Sequence, residues 1–318
     1  MADVKTVFMF SGQGSQFFHM GKDLFDNDTT FRGWMMRLDE IARQSTGRSV
    51  IEAVYDSTRS KSDPFDRTLL THPALFMVEY SLAETLIEMG VMPDKVLGAS
   101  AGSFAAAAVA GMIGFEDAMR AVVRQAMAFE QACDPGGMMA IMADPKLFRE
   151  ESLNDYGELA AINFDTHFVV SAPRERLTAI EQKLKQRNIA YQRLPVSFAF
   201  HSRWIDRAKD SFDAFVRCIR CSGGRTPLVC CEQAASLSAP THDFFWNVVR
   251  YPIRFFEAAQ RLEAEGPHHY VDVGPAGTLA TFLKYGLPRS SKSTRHAVLT
   301  PFASDRKNLA ALAALATQ

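Results

Sequence analysis

Long apolar runs are missing from this chain of 318 residues, and no stretch approaches the roughly 20 consecutive apolar residues needed to span a bilayer. The opening apolar run, Thr6–Phe10, is far too short for the apolar region of a secretion signal, so a cytoplasmic location is expected. An excess of charge of one sign is missing too. With 35 Lys and Arg against 36 Asp and Glu, the net charge of −1 gives no reason to expect nucleic acid or an anionic membrane as partner. Cysteine is scarce and odd in number: Cys133, Cys218, Cys221, Cys230 and Cys231 make no disulfide framework. Cys218-x-x-Cys221 has no second pair and no histidine at zinc spacing, so reduced thiols and no metal site are expected. Internal repeats and low-complexity segments are absent.

What is present reads as an α/β enzyme. Apolar runs alternate with amphipathic ones: Val7–Phe10, Phe31–Thr46, Pro73–Met89, Lys95–Leu97 and Phe115–Gln131, the pattern of a largely parallel sheet with helical crossovers. Pro73 suits the first helical position, and Leu75, Val78, Leu82, Leu86 and Met89 recur at helical spacing as one apolar face. The middle has a different order. Strand Met138–Met142, helix Pro145–Leu153, strands Leu159–Asn163 and Phe168–Ser171, helix Arg174–Arg187 and strand Tyr191–Val196 make β-α-β-β-α-β, the ferredoxin-like split motif. A small domain at 131–197 is therefore expected within a larger one formed by 1–130 and 198–318. The large sheet should resume near Leu228–Cys231 and Tyr270–Val273.

The chemistry centres on Val96-Leu97-Gly98-Ala99-Ser100-Ala101-Gly102, an apolar strand delivered into Gly-x-Ser-x-Gly and followed by an alanine-rich helix. Strand, tight turn and helix in that order form a nucleophile elbow. The turn strains the serine backbone, so its neighbours must be small, which Gly98 and Gly102 allow. Ser100 is thereby placed at a helix N-terminus, where backbone N–H groups can stabilise an oxyanion. A plain glycine turn is the competing reading of five such residues, and the flanking strand and alanine helix weigh against it.

Further motifs follow in order: Phe10-Ser11-Gly12-Gln13-Gly14-Ser15-Gln16, Phe198-Ala199-Phe200-His201-Ser202, Trp246 to Phe255, and Val271-Asp272-Val273-Gly274-Pro275. Together with the elbow, they make the chain resemble, over nearly its whole length, the malonyl-CoA:acyl carrier protein transacylases. That family includes the acyltransferases of polyketide and fatty acid synthases. The resemblance implies an α/β-hydrolase-like catalytic domain with a ferredoxin-like subdomain, and acyl transfer from a thioester by Ser100 with His201 as general acid–base. It also implies an oxyanion hole from the Gln13 and Ala101 backbone N–H groups. The carbonyl orienting the histidine should lie at or within a residue or two of Val248. No bound cofactor is implied; the acyl group arrives on the phosphopantetheine of an acyl carrier protein, or on CoA. The protein is expected to be a monomer.

Departures from that family concern the acyl group. Malonyl enzymes carry an arginine for the malonyl carboxylate at the position of Gln125, and a carboxamide offers neither its charge nor its bidentate geometry. A one-residue shift of the helix would let Arg124 serve instead. Gln125→Arg is accordingly expected to raise malonyl loading. His72 replaces a common glutamine and Phe198 a common glycine, while Ala99 and Ser103 also differ from the usual residues. Gln125, His72, Phe198 and Phe200 are the expected acyl-recognition residues. Similar replacement of the carboxylate-binding arginine marks a subgroup of free-standing polyketide acyltransferases, which this chain resembles and whose members resemble acyl hydrolases that clear stalled acyl chains from carrier proteins. Hydrolysis is the favoured expectation, and transfer of a malonyl or non-malonyl acyl group to a carrier protein is the alternative. A patatin-like lipase fits the elbow but lacks an explanation for the His201 motif. A docking protein without activity would have no need of both Ser100 and His201. Lys284, Arg289, Lys292 and Arg295 could form a basic rim for an acidic carrier, or be ordinary solvated charges.

Overall fold

A computed structural model describes residues 4–302 and 304–316. Among the described residues, ten strands form two sheets: β1 (Lys5–Phe10), β2 (Lys95–Gly98), β3 (Gly136–Ile141), β4 (Glu158–Phe164), β5 (His167–Pro173), β6 (Tyr191–Arg193), β7 (Leu228–Cys230), β8 (Ala235–Leu237), β9 (His268–Asp272) and β10 (Thr294–Ala297). The larger sheet runs in the order β10-β9-β1-β2-β7-β8 and is parallel except for β8, which pairs antiparallel with β7. Its central strands are apolar on both faces, since helices cover both sides; β2 is buried throughout. The smaller sheet is antiparallel in the order β4-β5-β3-β6, the pairing of a ferredoxin-like split motif. The α/β class and the two-sheet organisation follow the pattern read from the chain.

Strand pairing sets the location of chemistry. β1 and β2 are parallel with Phe10 opposite Gly98, and β9 flanks β1 with Asp272 opposite Met9. The segments that follow all three strands therefore emerge at one carboxyl edge, where open α/β sheets bind ligands. The small sheet is fastened to that edge by a short parallel bridge from Ala161 to Ile253. Ile253 N–H donates to the Ala160 carbonyl at 2.8 Å, and Ile162 N–H to the Ile253 carbonyl at 3.0 Å.

Two local expectations are corrected. The helix expected to start at Pro73 runs Thr68–Glu88, so Pro73 sits inside it, one turn later than a first-position proline. Burial compensates: His72, Pro73, Ala74, Leu75, Phe76, Met77 and Val78 are all buried, and packing outweighs a missing N–H donor. The helix is apolar nearly all round rather than on one stripe, and Met89 is exposed beyond its end. In the small domain, the expected helix Pro145–Leu153 shrinks to Leu147–Glu150 followed by a 3₁₀ turn at Leu153–Asp155.

Candidate active site

Ser100 stands immediately beyond β2 with φ of 53°, in the left-handed region that serine rarely enters. Three glycines permit this. A Cβ on Gly98 would lie 2.6 Å from the Ser103 Cα, and one on Gly102 would lie 2.2 Å from the Ser11 carbonyl oxygen. The third, Gly12, was not singled out by sequence, yet a Cβ there would come within 2.6 Å of the Ser100 Cβ. The helix Gly102–Val109 starts directly after the elbow, with Gly102 N–H donating to the Ala99 carbonyl at 3.1 Å.

His201 reaches Ser100 from the segment after the small domain. Its Nε2 is 2.7 Å from Ser100 Oγ, and its Nδ1 is 2.7 Å from the Tyr251 carbonyl oxygen. A carbonyl can only accept, so Nδ1 carries the proton and Nε2 presents its lone pair to the serine hydroxyl. Tyr251, not Val248, thus orients the ring; Val249 instead receives the His201 backbone N–H at 2.8 Å. Pro252 is the physical reason. A residue before proline is driven out of the helical region, and Tyr251 is extended (φ −94°, ψ 161°), which swings its carbonyl away from the axis of the helix Phe244–Arg250. Burial pushes the His201 imidazole down to about 4; the Tyr251 carbonyl opposes this, and the charge of Arg250 adds to it. Arg250 is itself paired with Asp206, Nε to Oδ1, at 2.5 Å.

Ser100 and His201 open onto a cavity of about 340 Å³ between the two sheets. Gln13 lines it beside Ser100, in a loop where Gly14 adopts φ of 106° and its N–H donates to the Gln16 side chain. The small domain contributes Met138, Ala140, Met142 and Val169, and Phe255, Leu279 and Phe282 close the far side. Asn163 and His167 are polar members that sequence reading passed over. Asn163 Nδ2 lies 3.0 Å from His167 Nδ1, so the pair presents one hydrogen-bonding edge on an apolar wall. Their spacing of four across a strand turn gave no periodic signal. No Lys, Arg, Asp or Glu side chain lines this cavity among the described residues.

The expected acyl-recognition residues divide. Phe200 lines the cavity, but Gln125, His72 and Phe198 do not. Gln125 is buried and its Nε2 donates to the Phe245 carbonyl at 3.1 Å. Arg124 is exposed and stacks over Phe215, so the shifted register that would let it serve is not adopted. One turn beyond Gln125, Phe129 packs against His72, Phe198, Phe200 and Trp246, with ring centroids 5.2–6.3 Å apart. Gln125 itself is bonded to the Phe245 carbonyl and does not line the cavity. His72 is wholly buried in the aromatic cluster with Nδ1 unpartnered, and burial followed by the nearby His201 pushes its imidazole down to about 3. The expectation that Gln125→Arg raises malonyl loading is therefore replaced. The substitution removes the amide bond to Phe245 and places a guanidinium without an acidic partner at a buried position, at a cost of about 3–5 kcal/mol. A clear fall in melting temperature without a gain in malonyl loading is expected, as measured by thermal denaturation and intact mass.

Lys284, Arg289, Lys292 and Arg295 are all exposed. Among the described residues, no group of three or more His, Cys, Asp or Glu is placed to hold a metal ion, and no helix is long and apolar enough to cross a membrane.

Comparison with known proteins agrees with this geometry. The model of the acyl transferase domain family matches residues 7–318. The polyketide biosynthesis acyltransferase homolog PksD of Bacillus subtilis is 43% identical over 304 residues, covering 95% of this chain and 94% of PksD. BaeD of Bacillus velezensis, named likewise, is 43% identical over 307 residues with the same coverage. Among solved structures, a loading acyltransferase from the avermectin modular polyketide synthase superposes with a TM-score of 0.89 at 25% identity, covering 98% of this chain and 100% of its own. With the family model spanning nearly all of its length and relatives this similar end to end, the chain belongs to the acyl transferase domain family.

Proposed function

We propose that this protein is a serine–histidine acyl hydrolase that removes short, uncharged acyl groups from acyl carrier protein thioesters in a polyketide pathway. The names of PksD and BaeD support the pathway, and the pairing of Ser100 with His201 supports the chemistry. In this reading His201 Nε2 takes the Ser100 hydroxyl proton as Oγ attacks the thioester carbonyl. The Gln13 and Ala101 N–H groups receive the oxyanion, and the imidazolium returns its proton to the leaving thiol. Tyr251 keeps the imidazole in the right tautomer throughout. Water then attacks the acyl-serine, with His201 again as base, and releases the free acid.

One observation carries the choice of acyl group: among the described residues, no Lys or Arg side chain lines the cavity. Enclosing a malonyl carboxylate there would leave a charge without a partner, at a cost of several kcal/mol, whereas acetyl carries no such penalty. The polar Asn163–His167 edge suits the amides of a phosphopantetheine arm, and the exposed basic residues from Lys284 to Arg295 suit an acidic carrier. Intact-mass measurement on carrier protein loaded with either group tests both halves of the proposal. Acetyl carrier should lose its acyl group to give free thiol at least about tenfold faster than malonyl carrier. Movement of acetyl to a second carrier would establish transfer instead, and a preference for malonyl would overturn the assignment of acyl class.

A further inference from the structure

Beneath the loop that carries Gln13 lies a buried carboxyl group that the acyl chemistry leaves unused. Glu79, midway along the helix Thr68–Glu88, has no exposure to solvent. Its Oε1 accepts two hydrogen bonds from one residue, the Ser11 N–H at 2.7 Å and the Ser11 hydroxyl at 2.7 Å. Ser11 Oγ is also 2.9 Å from Ser15 Oγ, which donates to the Gly12 carbonyl at 2.9 Å. On the other side Asp272 holds the Gly274 N–H at 2.9 Å, and a Cβ on Gly274 would come within 2.4 Å of Ser11 Oγ. Ser11 is therefore bonded to the helix on one side and packed against Gly274 on the other, while Ser15 bonds back to Gly12 within the loop. Gly12, the next residue, is the one that presses against Ser100.

The second oxygen of Glu79, Oε2, is buried with no hydrogen-bond partner among the described residues. Burial raises this carboxyl group well above the usual carboxylate range against the two Ser11 bonds, and the Asp272 charge adds to the rise. A neutral acid whose carbonyl oxygen accepts from Ser11 fits this environment better than a carboxylate with one bare oxygen.

We propose that Glu79 is a positioning residue for the chemistry at Ser100: as a fixed acceptor for Ser11, it holds the loop that aims the Gln13 N–H at the acyl oxygen. This inference rests on the serine–histidine reading given above. Because Glu79 acts as an acceptor rather than a charge, Glu79→Gln should preserve its effect, while Glu79→Leu should remove it.

The test uses the full chain and two readouts, steady-state hydrolysis of an acetyl thioester and the rate at which a fluorophosphonate labels Ser100. The probe places its phosphoryl oxygen where the acyl oxygen would sit and needs no carrier protein. Glu79→Gln should stay within about threefold of the parent in both. Glu79→Leu should slow labelling and kcat by about 10–100-fold with KM nearly unchanged, somewhat less than the direct loss of an oxyanion donor. Should Glu79→Leu fail to fold in a thermal melt, Ser11→Ala carries the test, with about a tenfold loss expected. A folded Glu79→Leu or Ser11→Ala protein with the parental labelling rate would overturn the proposal, as would a Glu79→Gln protein as slow as Glu79→Leu. A parent that is not labelled at Ser100 would overturn the serine–histidine reading itself, and this inference with it.

Discussion

Ser100→Ala is expected to eliminate the acyl-enzyme and to lower thioester turnover by about 10⁶-fold, the scale seen when a serine hydrolase loses its nucleophile. The structure makes this substitution clean. Alanine keeps the Cβ that packs against Gly12 and leaves the backbone at the same positive φ, so neither the elbow nor its strain is altered. The melting temperature should therefore stay within a few degrees of the parent, and any loss is chemical rather than structural. Among the described residues, no second hydroxyl lining the cavity is bonded to an imidazole there: Ser11 and Ser15 are bonded to Glu79 and Gly12. Mass spectrometry after mixing with acetyl carrier protein reads the outcome directly. An acylated Ser100→Ala protein with turnover near that of the parent would sink the assignment.

The elbow was legible in the sequence because its constraints are local. A serine at positive φ needs small neighbours within two residues, and Gly98 and Gly102 display that need in the chain itself. The strand and helix around it follow from short-range composition, as does the order of elements in the small domain. Gly12 was not legible as a partner of Ser100, although its motif was seen, because their contact depends on the register of β1 against β2. Tyr251 was missed by three residues for a similar reason. Alignment locates a motif, but which carbonyl faces His201 is decided by how Pro252 bends the chain at the end of a helix. Gln125 shows the limit most clearly. Its replacement of an arginine was plain in the sequence, and its side chain was expected in the acyl pocket. Its amide is instead bonded to the Phe245 carbonyl of a helix far along the chain, and it does not line the cavity. The sequence showed that a cation was missing; only the fold shows that the residue in its place is bonded elsewhere.

His201→Ala is expected to reduce kcat by about 10²–10⁴-fold, the usual worth of a positioned general acid–base, while the acyl thioester still binds. Its distinguishing test is the pH profile of the parent. An ordinary histidine titrating near 6.5 would leave kcat/KM about tenfold lower at about pH 5.5 than at neutrality. Burial holds His201 near 4, so its lone pair stays available to Ser100 and the rate per folded molecule should be level between those two pH values. Stability behaves differently in the same range. His72 and His201 are both buried with lowered affinity for protons, so the unfolded chain binds more protons than the native one as pH falls below 6.5. Their contribution to stability is complete above 6.5 and declines as pH drops toward 4 and then 3. The share of stability that these two imidazoles supply thus falls with acidification, while the raised carboxyl groups of Glu79 and Asp272 act in the opposite direction, and short assays on folded protein separate activity from both. A tenfold loss of kcat/KM by pH 5.5 with the protein still folded would mean that the proton acceptor has an ordinary affinity. That result would exclude the buried imidazole of His201 from the role.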